Sequence, residues 1–301
     1  MLTQLHLLLT YTCNYECDHC FLYCNPSSKG TFTLKQIRHI LDEAFKIKTI
    51  EWIYFEGGEP FLYYPLLVEG VKLARDYGFK VGIVTNSYWA TNEEDAELWL
   101  HNIAKSGVTA MEISNDDFHF VDDDRNLPII AQKVAEKLRI PSISTITIDK
   151  PEIDLHSKEA KNKGSAIMKG GAVFRGRAVE KLIFGLPTRP WETLNECPYE
   201  DLEGLGRVHL DSFGNVQICQ GLSIGNFLET PLNEIIRDYD PRKHPICGPL
   251  LEGGPAQLVR QYHLDHESEY VDECHLCYLM RKSLIDKFPK FLTPRQVYGL
   301  E

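Results

Sequence analysis

Three cysteines near the start of the chain have the spacing of a metal-binding loop. Cys13, Cys17 and Cys20 form a C-x3-C-x2-C pattern directly after an apolar, strand-like stretch at residues 5–9. Three neighbouring thiolates can bind three irons of a [4Fe–4S] cluster and leave the fourth iron without a protein ligand. Such an open iron can bind a cofactor or substrate and transfer an electron to it, whereas a structural metal site is closed by four ligands. A zinc knuckle completed by a distant residue is the alternative interpretation.

A second motif stands at the end of another strand-like run. Residues 56–60 read Glu-Gly-Gly-Glu-Pro and follow the apolar residues 50–55. Two adjacent glycines let a backbone approach a ligand closely, and a carboxylate pairs favourably with an ammonium group. By itself the motif could be a tight turn. Its position after the cysteine triplet favours a ligand-binding loop.

Together, the triplet and the Gly-Gly-Glu-Pro loop resemble the signature of the radical S-adenosylmethionine (radical SAM) enzymes. The resemblance includes an aromatic residue inside the triplet and a histidine before its last cysteine, and it extends to about residue 180. It implies a [4Fe–4S] cluster on the three cysteines, with SAM on the open iron. It also implies that the glycine loop and its carboxylate hold the amino group of the methionine moiety. The implied cofactor-binding residues are Tyr15, His19, Gly57, Gly58, Glu59, Pro60, Thr85, Asn86, Ser114, Arg175 and Arg177.

Several of these residues lie at the ends of later predicted strands. Thr85 and Asn86 could bond the methionine carboxylate or the ribose, or could form a capping turn. Ser114 lies where the family has a ribose- or carboxylate-binding residue. An arginine fork could clamp the SAM carboxylate, and the resemblance favours Arg177 over Arg175, although either could be a surface residue.

Three residues after the fourth predicted strand are candidate catalytic groups. Asp116, Asp117 and His119 could reach the substrate and move a proton, or the aspartates could cap a turn and the histidine lie at the surface. The resemblance implies that SAM is reductively cleaved to methionine and a 5′-deoxyadenosyl radical, which abstracts a hydrogen atom from the substrate. The protein would hold the cofactor, aim the radical, and exclude water and oxygen.

Five further cysteines lie in the last third of the chain. Four of them resemble the twitch (half-SPASM) extension of radical SAM enzymes, which carries one auxiliary [4Fe–4S] cluster: Cys197, Cys219, Cys274 and Cys277. A zinc ribbon with four cysteine ligands is the alternative. Cys247 could replace one of the four or be a buried thiol, and Cys24 is expected to be a packed thiol outside the clusters.

Hydrophobic patterning predicts alternating strands and helices that would position these motifs. Thr33 and Thr91 are expected to open the first and third helices. Strands are predicted at 4–9, 50–55, 80–85, 110–114, 142–148 and 172–175, and helices at 34–46, 64–77, 92–105 and 124–138. Six βα units indicate an α/β fold, a partial (β/α)6 TIM-like barrel with its chemistry at the carboxyl ends of the strands.

The pattern changes near residue 186. Alternating residues at 208–210 and 216–218 flank a turn with Gly214 and Asn215, which predicts a β-hairpin. We therefore expect two domains: a radical SAM partial barrel at 1–185 and a smaller hairpin and helical cluster-binding extension at 186–301.

Composition narrows the function classes. The 301-residue chain is 43% hydrophobic, carries a formal net charge of −11 and contains nine cysteines. The negative charge disfavours nucleic acid as a partner, and no apolar run is long enough to span a membrane. Without a recognisable secretory signal, the cysteines indicate metal or redox use and a cytoplasmic location.

Three functions are compatible with these observations. The leading one is a small-molecule enzyme that performs a two-electron oxidation assisted by the auxiliary cluster. The second is a maturase that crosslinks or oxidises a peptide, although a first strand beginning at residue 4 leaves no room for a preceding leader-binding domain. The third is a non-catalytic iron–sulfur or zinc protein, which would not need a methionine pocket. An enzyme would also require a low-potential electron donor such as flavodoxin or ferredoxin.

Overall fold

The computed structural model describes residues 1–119, 126–154 and 167–300. Eight strands of these residues form one sheet, and short two-stranded sheets lie outside it. The strands are β1 (Gln4–Thr10), β2 (Trp52–Gly57), β3 (Lys80–Thr85), β4 (Ala110–Ser114), β5 (Ser142–Ile146), β6 (Glu152–Asp154), β7 (Ile167–Lys169), β8 (Arg189–Pro190), β9 (Arg207–Asp211), β10 (Asn215–Cys219), β11 (Leu222–Asn226) and β12 (Glu269–Tyr270).

The main sheet has the order β11-β10-β9-β1-β2-β3-β4-β5. The six strands from β9 to β5 are parallel, while β10 and β11 continue the sheet in antiparallel fashion. Within the described chain the sheet is open, with β5 and β11 at its edges. The predicted α/β fold with a partial barrel is therefore confirmed.

Helices connect the parallel strands and extend the carboxyl-terminal part. The first two pack against each other, as do the third and fourth, and the last two. They are α1 (Leu34–Lys46), α2 (Tyr64–Asp76), α3 (Glu93–Lys105), α4 (Leu127–Lys137), α5 (Ala178–Lys181), α6 (Leu232–Asp238), α7 (Cys247–Tyr262) and α8 (Glu273–Leu284). Short 3-10 turns lie at Pro60–Tyr63, Trp191–Thr193 and Arg295–Tyr298. No helix of the described residues has the length and apolar character that crossing a bilayer requires.

Side-chain caps mark the starts of α1 and α3. Thr33 caps α1 in a reciprocal capping box with Gln36, as predicted. The third helix begins one residue later than predicted, because Asn92 rather than Thr91 is its N-cap and accepts the amide of Asp95. The predicted start of the fourth helix, at residue 124, lies outside the described residues.

The predicted sixth strand at 172–175 is wrong. This segment has no regular structure and leads into a turn at Gly176, whose φ is +64°. The turn packs on the cysteine loop, and the amide of Arg177 donates to the carbonyl of Cys20 at 3.0 Å. The sixth parallel strand is instead β9, which pairs with β1 on the opposite side.

The predicted β-hairpin is confirmed as β9 and β10, which pair in antiparallel fashion. Because β9 also pairs with β1, the sheet continues across the proposed domain boundary at 185/186. A buried carboxylate fixes this junction. Asp211 Oδ2 accepts bonds from the Tyr11 hydroxyl (3.0 Å), Asn215 Nδ2 (2.9 Å) and Gln217 Nε2 (2.8 Å), and Oδ1 accepts the amides of Phe213 and Asn215.

We predict that Asp211→Ala destabilises the protein by at least about 3 kcal/mol, because it strands several buried donors at about 1–3 kcal/mol each. The measurement is the free energy of unfolding in urea under anaerobic conditions. Asp238→Ala is the matched control, because Asp238 is exposed and pairs only with its neighbour Arg237. It should change stability by less than about 0.5 kcal/mol. Equal effects of the two substitutions would contradict the assigned role of Asp211.

Candidate functional site

A cavity of about 370 Å³ lies at the carboxyl ends of the parallel strands. It contains the cysteine triplet and most of the predicted cofactor-binding residues. The predicted site residues that line it are Cys13, Tyr15, Cys17, His19, Cys20, Gly57, Gly58, Thr85, Asn86, Ser114, Asp116, His119 and Arg175. The structure thus gathers side chains from the ends of β1 to β4, as a parallel barrel should.

The cysteine loop presents its sulfur atoms to this cavity together with hydrogen-bond donors. The amides of Tyr15 and Cys24 point at the sulfur atoms of Cys13 and Cys20, at 3.4 and 3.3 Å. Asn86 Nδ2 lies 3.7 Å from Cys13 Sγ. Burial raises the pKa of Cys13 to about 12, while the hydrogen bond from the Cys24 side chain lowers the pKa of Cys20 to about 6. The donor set therefore fits a positively charged iron centre.

The backbone of the cysteine loop is held by Arg177. Its guanidinium donates to the carbonyls of Cys17 (2.8 Å), Cys24 (2.7 Å) and Tyr23 (3.2 Å), and it is almost fully buried. Arg177 does not line the cavity. The predicted contact between Arg177 and the SAM carboxylate is not supported, because its donors are committed to the loop.

The other arginine of the predicted fork, Arg175, does line the cavity. Its Nη1 lies 3.1 Å from Glu200 Oε1 and 3.1 Å from Cys219 Sγ, in the carboxyl-terminal part of the chain. The two arginines therefore point to different partners and do not form a single clamp. Arg175 lies in the wall between this cavity and a second one.

Gly57 and Gly58 lie directly against the chain that leads into the cysteine loop. A Cβ at Gly57 would stand 2.3 Å from the carbonyl oxygen of Thr10, and one at Gly58 would stand 2.2 Å from that of Thr12. The amides of Gly58 and Glu59 donate to these carbonyls at 2.7 and 3.0 Å. Glycine is required here for backbone packing between the two motifs, as well as for access to the cavity.

Glu59 differs most from its predicted role. Its carboxylate is fully buried, does not line the cavity, and accepts bonds from the Thr85 hydroxyl (2.9 Å) and the amides of Asn86 (2.7 Å) and Phe61 (3.0 Å). Burial raises the pKa of Glu59 to about 7. The carboxylate thus positions Thr85 and Asn86 instead of reaching an ammonium group. Pro60 begins the following 3-10 turn and is buried behind the loop.

The predicted catalytic residues separate into two sets. Asp116 and His119 line the cavity, with Asp116 Oδ1 and His119 Nδ1 2.8 Å apart, and the ring of His19 lies 5.2 Å from that of His119. Two buried atoms of this group, Asp116 Oδ2 and His19 Nδ1, lack a hydrogen-bond partner among the described residues. Burial lowers the pKa of His19 to about 4. Asp117 is exposed on the outer surface, so the prediction of a direct role for Asp117 is not supported.

The interior of the barrel contributes polar residues that the sequence analysis missed. His6, Glu56, Glu112 and His209 all line the same cavity. They lie on β1, β2, β4 and β9, where polar residues interrupt otherwise apolar strands. The sequence did contain a signal for these residues. It was a charged or imidazole side chain at an inward-facing position of a buried strand.

The four predicted auxiliary cysteines also come together. Cys197, Cys219, Cys274 and Cys277 line a second, smaller cavity with the guanidinium groups of two arginines, Arg175 and Arg281. Arg281 Nη1 lies 3.7 Å from Cys219 Sγ. Burial raises the pKa of Cys277 to about 12.

The two remaining cysteines lie outside these ligand sets. Cys247 is buried at the start of α7 and does not line the second cavity. Cys24 lies behind Cys20 and lines the first cavity. The expectation that Cys24 is a packed thiol fits its nearly complete burial.

Comparisons with known proteins agree with this geometry. The family model of the Radical SAM superfamily matches residues 7–139. YydG of Bacillus subtilis (strain 168), a protein named for peptide biosynthesis, is 33% identical over 275 residues, which cover 90% of this chain and 77% of that protein. The tungsten-containing aldehyde ferredoxin oxidoreductase cofactor-modifying protein of Pyrococcus furiosus is 27% identical over 79% of this chain and 66% of its own length.

Solved structures share the fold. Native anSMEcpe with bound AdoMet has a TM-score of 0.51 at 13% identity, with 96% of this chain and 97% of that one covered. BtrN in complex with AdoMet and 2-DOIA has a TM-score of 0.51 at 15% identity, with 78% and 82% covered. At these identities the similarity concerns the fold alone.

The placement of Glu59 generates a prediction about SAM. Glu59→Ala should weaken SAM binding by about 1.5 kcal/mol, because Thr85 and Asn86 lose the buried acceptor that positions them. Isothermal titration calorimetry under anaerobic conditions measures the affinity, and iron content should stay at the wild-type level. Glu51→Ala, which removes an exposed carboxylate just before β2, is the control and should leave affinity unchanged. An unaltered SAM affinity in Glu59→Ala would remove Glu59 from the site.

Proposed function

The chain belongs to the radical SAM superfamily and is a radical SAM enzyme, and from that premise we propose that Cys13, Cys17 and Cys20 hold the family's [4Fe–4S] cluster. The observation that carries this assignment is the convergence of three thiols and their donors at the edge of the cavity. When bound, the cluster and SAM supply a 5′-deoxyadenosyl radical that abstracts a hydrogen atom from the substrate.

We assign the residues around the triplet to binding and orienting SAM. Thr85, Asn86 and Ser114 offer polar groups from the ends of β3 and β4, and Gly57 and Gly58 leave room for a ligand against the backbone. His19 and Asp116 each keep one buried polar atom without a partner, which suits contact with a polar ligand. Among the predicted catalytic residues, Asp116 and His119 remain the candidates for proton transfer.

We further propose that the second cavity holds an auxiliary [4Fe–4S] cluster on Cys197, Cys219, Cys274 and Cys277. A single tetrahedral zinc would hold its four sulfur atoms about 3.8 Å apart. Among the residues that the structure describes, no three of these sulfur atoms all lie within 4.8 Å of one another. The sulfur atoms are thus not gathered at the spacing of a zinc site, and the two arginines suit the anionic thiolate shell of a cluster.

The two sites support a net two-electron oxidation assisted by the auxiliary cluster. Arg175 lines both cavities and thus lies between the two proposed sites. The division into a SAM part at 1–185 and an auxiliary part at 186–301 is retained as a functional division, although β9 belongs to the barrel sheet.

A low-potential flavodoxin or ferredoxin is the proposed electron donor. The use of nine cysteines favours the cytoplasm as the location.

A peptide is the substrate class that the relatives favour. The similarity to YydG covers 90% of this chain, and that protein is named for peptide biosynthesis. A small cofactor-like molecule is the second candidate, supported by the Pyrococcus furiosus relative named as a cofactor-modifying protein. Mass spectrometry after incubation with a peptide encoded beside the gene, or with metabolite extracts, distinguishes the two.

The cluster assignment predicts that replacing Cys13, Cys17 and Cys20 together with alanine abolishes SAM cleavage. Reduced wild-type protein should release 5′-deoxyadenosine and methionine, which chromatography detects, and should contain about eight irons. The triple variant should release neither product and retain about four irons. Cys247→Ala, which removes a buried thiol outside both ligand sets, is the control and should behave as wild type. SAM cleavage at the wild-type rate in the triple variant would disprove the assignment.

The auxiliary assignment predicts a different outcome for Cys274→Ala/Cys277→Ala. This variant should still make 5′-deoxyadenosine, because the SAM site is intact, but should lose the oxidised product. Mössbauer spectroscopy and metal analysis of anaerobic protein should show about four irons fewer than wild type. Zinc in the wild-type site would favour the ribbon interpretation. Normal product formation would limit the second site to a structural role.

A further inference from the structure

Three side chains in the interior of the barrel form a compact ligand cluster away from the cysteines. His6 and His209 lie side by side on the paired strands β1 and β9, and Glu56 lies on β2 at the level of Leu8. Residues paired in register point to the same face of a sheet, so all three side chains enter the cavity. One ligand atom from each lies within 4.8 Å of the others.

The carboxylate of Glu56 sits between the two imidazoles. His6 Nδ1 lies 3.0 Å from Glu56 Oε2, and His209 Nδ1 lies 2.8 Å from Glu56 Oε1. The side chains of His6, Glu56 and His209 are only 12%, 16% and 6% exposed. Two imidazoles and one carboxylate are a ligand set that binds first-row transition metals.

Both ring nitrogens of His6 face oxygen atoms of neighbouring side chains. Its Nδ1 faces an oxygen of Glu56, and its Nε2 faces the amide oxygen of Gln4 at 3.2 Å. A neutral imidazole has one N–H and can donate to only one of these oxygens. The other nitrogen keeps a lone pair that a metal ion can use.

The second imidazole is also incompletely satisfied. Nε2 of His209 is buried and has no hydrogen-bond partner among the described residues, although its ring lines the cavity. The contact of the Glu56 carboxylate with Nδ1 fixes the orientation of this ring. A ligand that enters the cavity can therefore meet a prearranged set of nitrogen and oxygen donors with free coordination capacity.

We propose that His6, Glu56 and His209 bind one divalent first-row transition-metal ion, whose remaining positions face the cavity and accept an oxygen or nitrogen atom of the substrate. The ion would orient and polarise that atom as a Lewis acid next to the site of hydrogen abstraction. Binding of the ion does not depend on the proposed clusters, because none of the three residues belongs to either cysteine set, whereas its use next to the site of hydrogen abstraction rests on the proposed function.

Mn²⁺ alone is the probe, because it prefers carboxylate and imidazole ligands and competes poorly for thiolates. Anaerobic holoenzyme with oxidised clusters is titrated with Mn²⁺, and the free ion is counted from its room-temperature EPR signal. We expect about one bound ion per chain below millimolar concentration. Glu56→Gln and His209→Gln should each raise the Kd by at least about tenfold. Electron spin echo modulation from imidazole nitrogen at bound Mn²⁺ should weaken in His209→Gln.

Glu51→Gln is the control, because Glu51 is an exposed carboxylate just before β2 and outside this cavity. It should change the Kd less than about threefold, and all variants should keep wild-type iron content and circular dichroism. An absence of binding at millimolar Mn²⁺, or equal affinity in wild type, Glu56→Gln and His209→Gln, overturns the proposal. The Mn²⁺ titration does not depend on SAM cleavage. A failure of the proposed radical SAM function would therefore be seen in the SAM cleavage assay and not in this titration.

Discussion

The contact between the glycine loop and the chain entering the cysteine loop is the constraint on which the site depends. Gly57 and Gly58 lie so close to the carbonyls of Thr10 and Thr12 that any side chain would collide with backbone. Backbone cannot give way as a flexible side chain can, and the two loops are therefore fixed relative to each other. This contact places the thiols of the loop after β1 and the polar residues at the ends of β2 and β3 around one cavity.

The parts of the fold that local patterns determine could be predicted. The bounds of α1, β3 and β4 follow from capping residues and apolar periodicity and agree with the structure. The strand that pairs with β1 on the side away from β2 could not be predicted. This strand is β9, and no local pattern encodes such a long-range pairing. The segment 172–175 has the composition of a strand, but packing on the cysteine loop decides its conformation.

The same distinction holds for the site. The spacing of Cys13, Cys17 and Cys20 was sufficient to predict that these thiols come together, because loop geometry limits where neighbouring residues can lie, whereas the four later cysteines were grouped by resemblance alone. Glu59 and Arg177 were predicted to contact SAM, yet both satisfy buried groups of the protein. A glutamate or an arginine can bind either a ligand or a buried group of the protein. Only the position of the neighbouring groups decides which of these roles the residue has. His6, Glu56 and His209 were missed because they are far apart in sequence and meet only across three strands.

The pairing of β1 with β9 has a consequence for biosynthesis. The cysteine loop follows β1, but Arg177 and the strand Arg207–Asp211 that complete its surroundings lie 160 or more residues beyond Cys17 and are synthesised later. Until these residues are synthesised, the cysteine loop lacks the Arg177 guanidinium that binds its backbone carbonyls, and β1 lacks its neighbour β9. Long-range pairings of this kind form late. The cysteine loop therefore reaches its rigid form only after β9 has been synthesised.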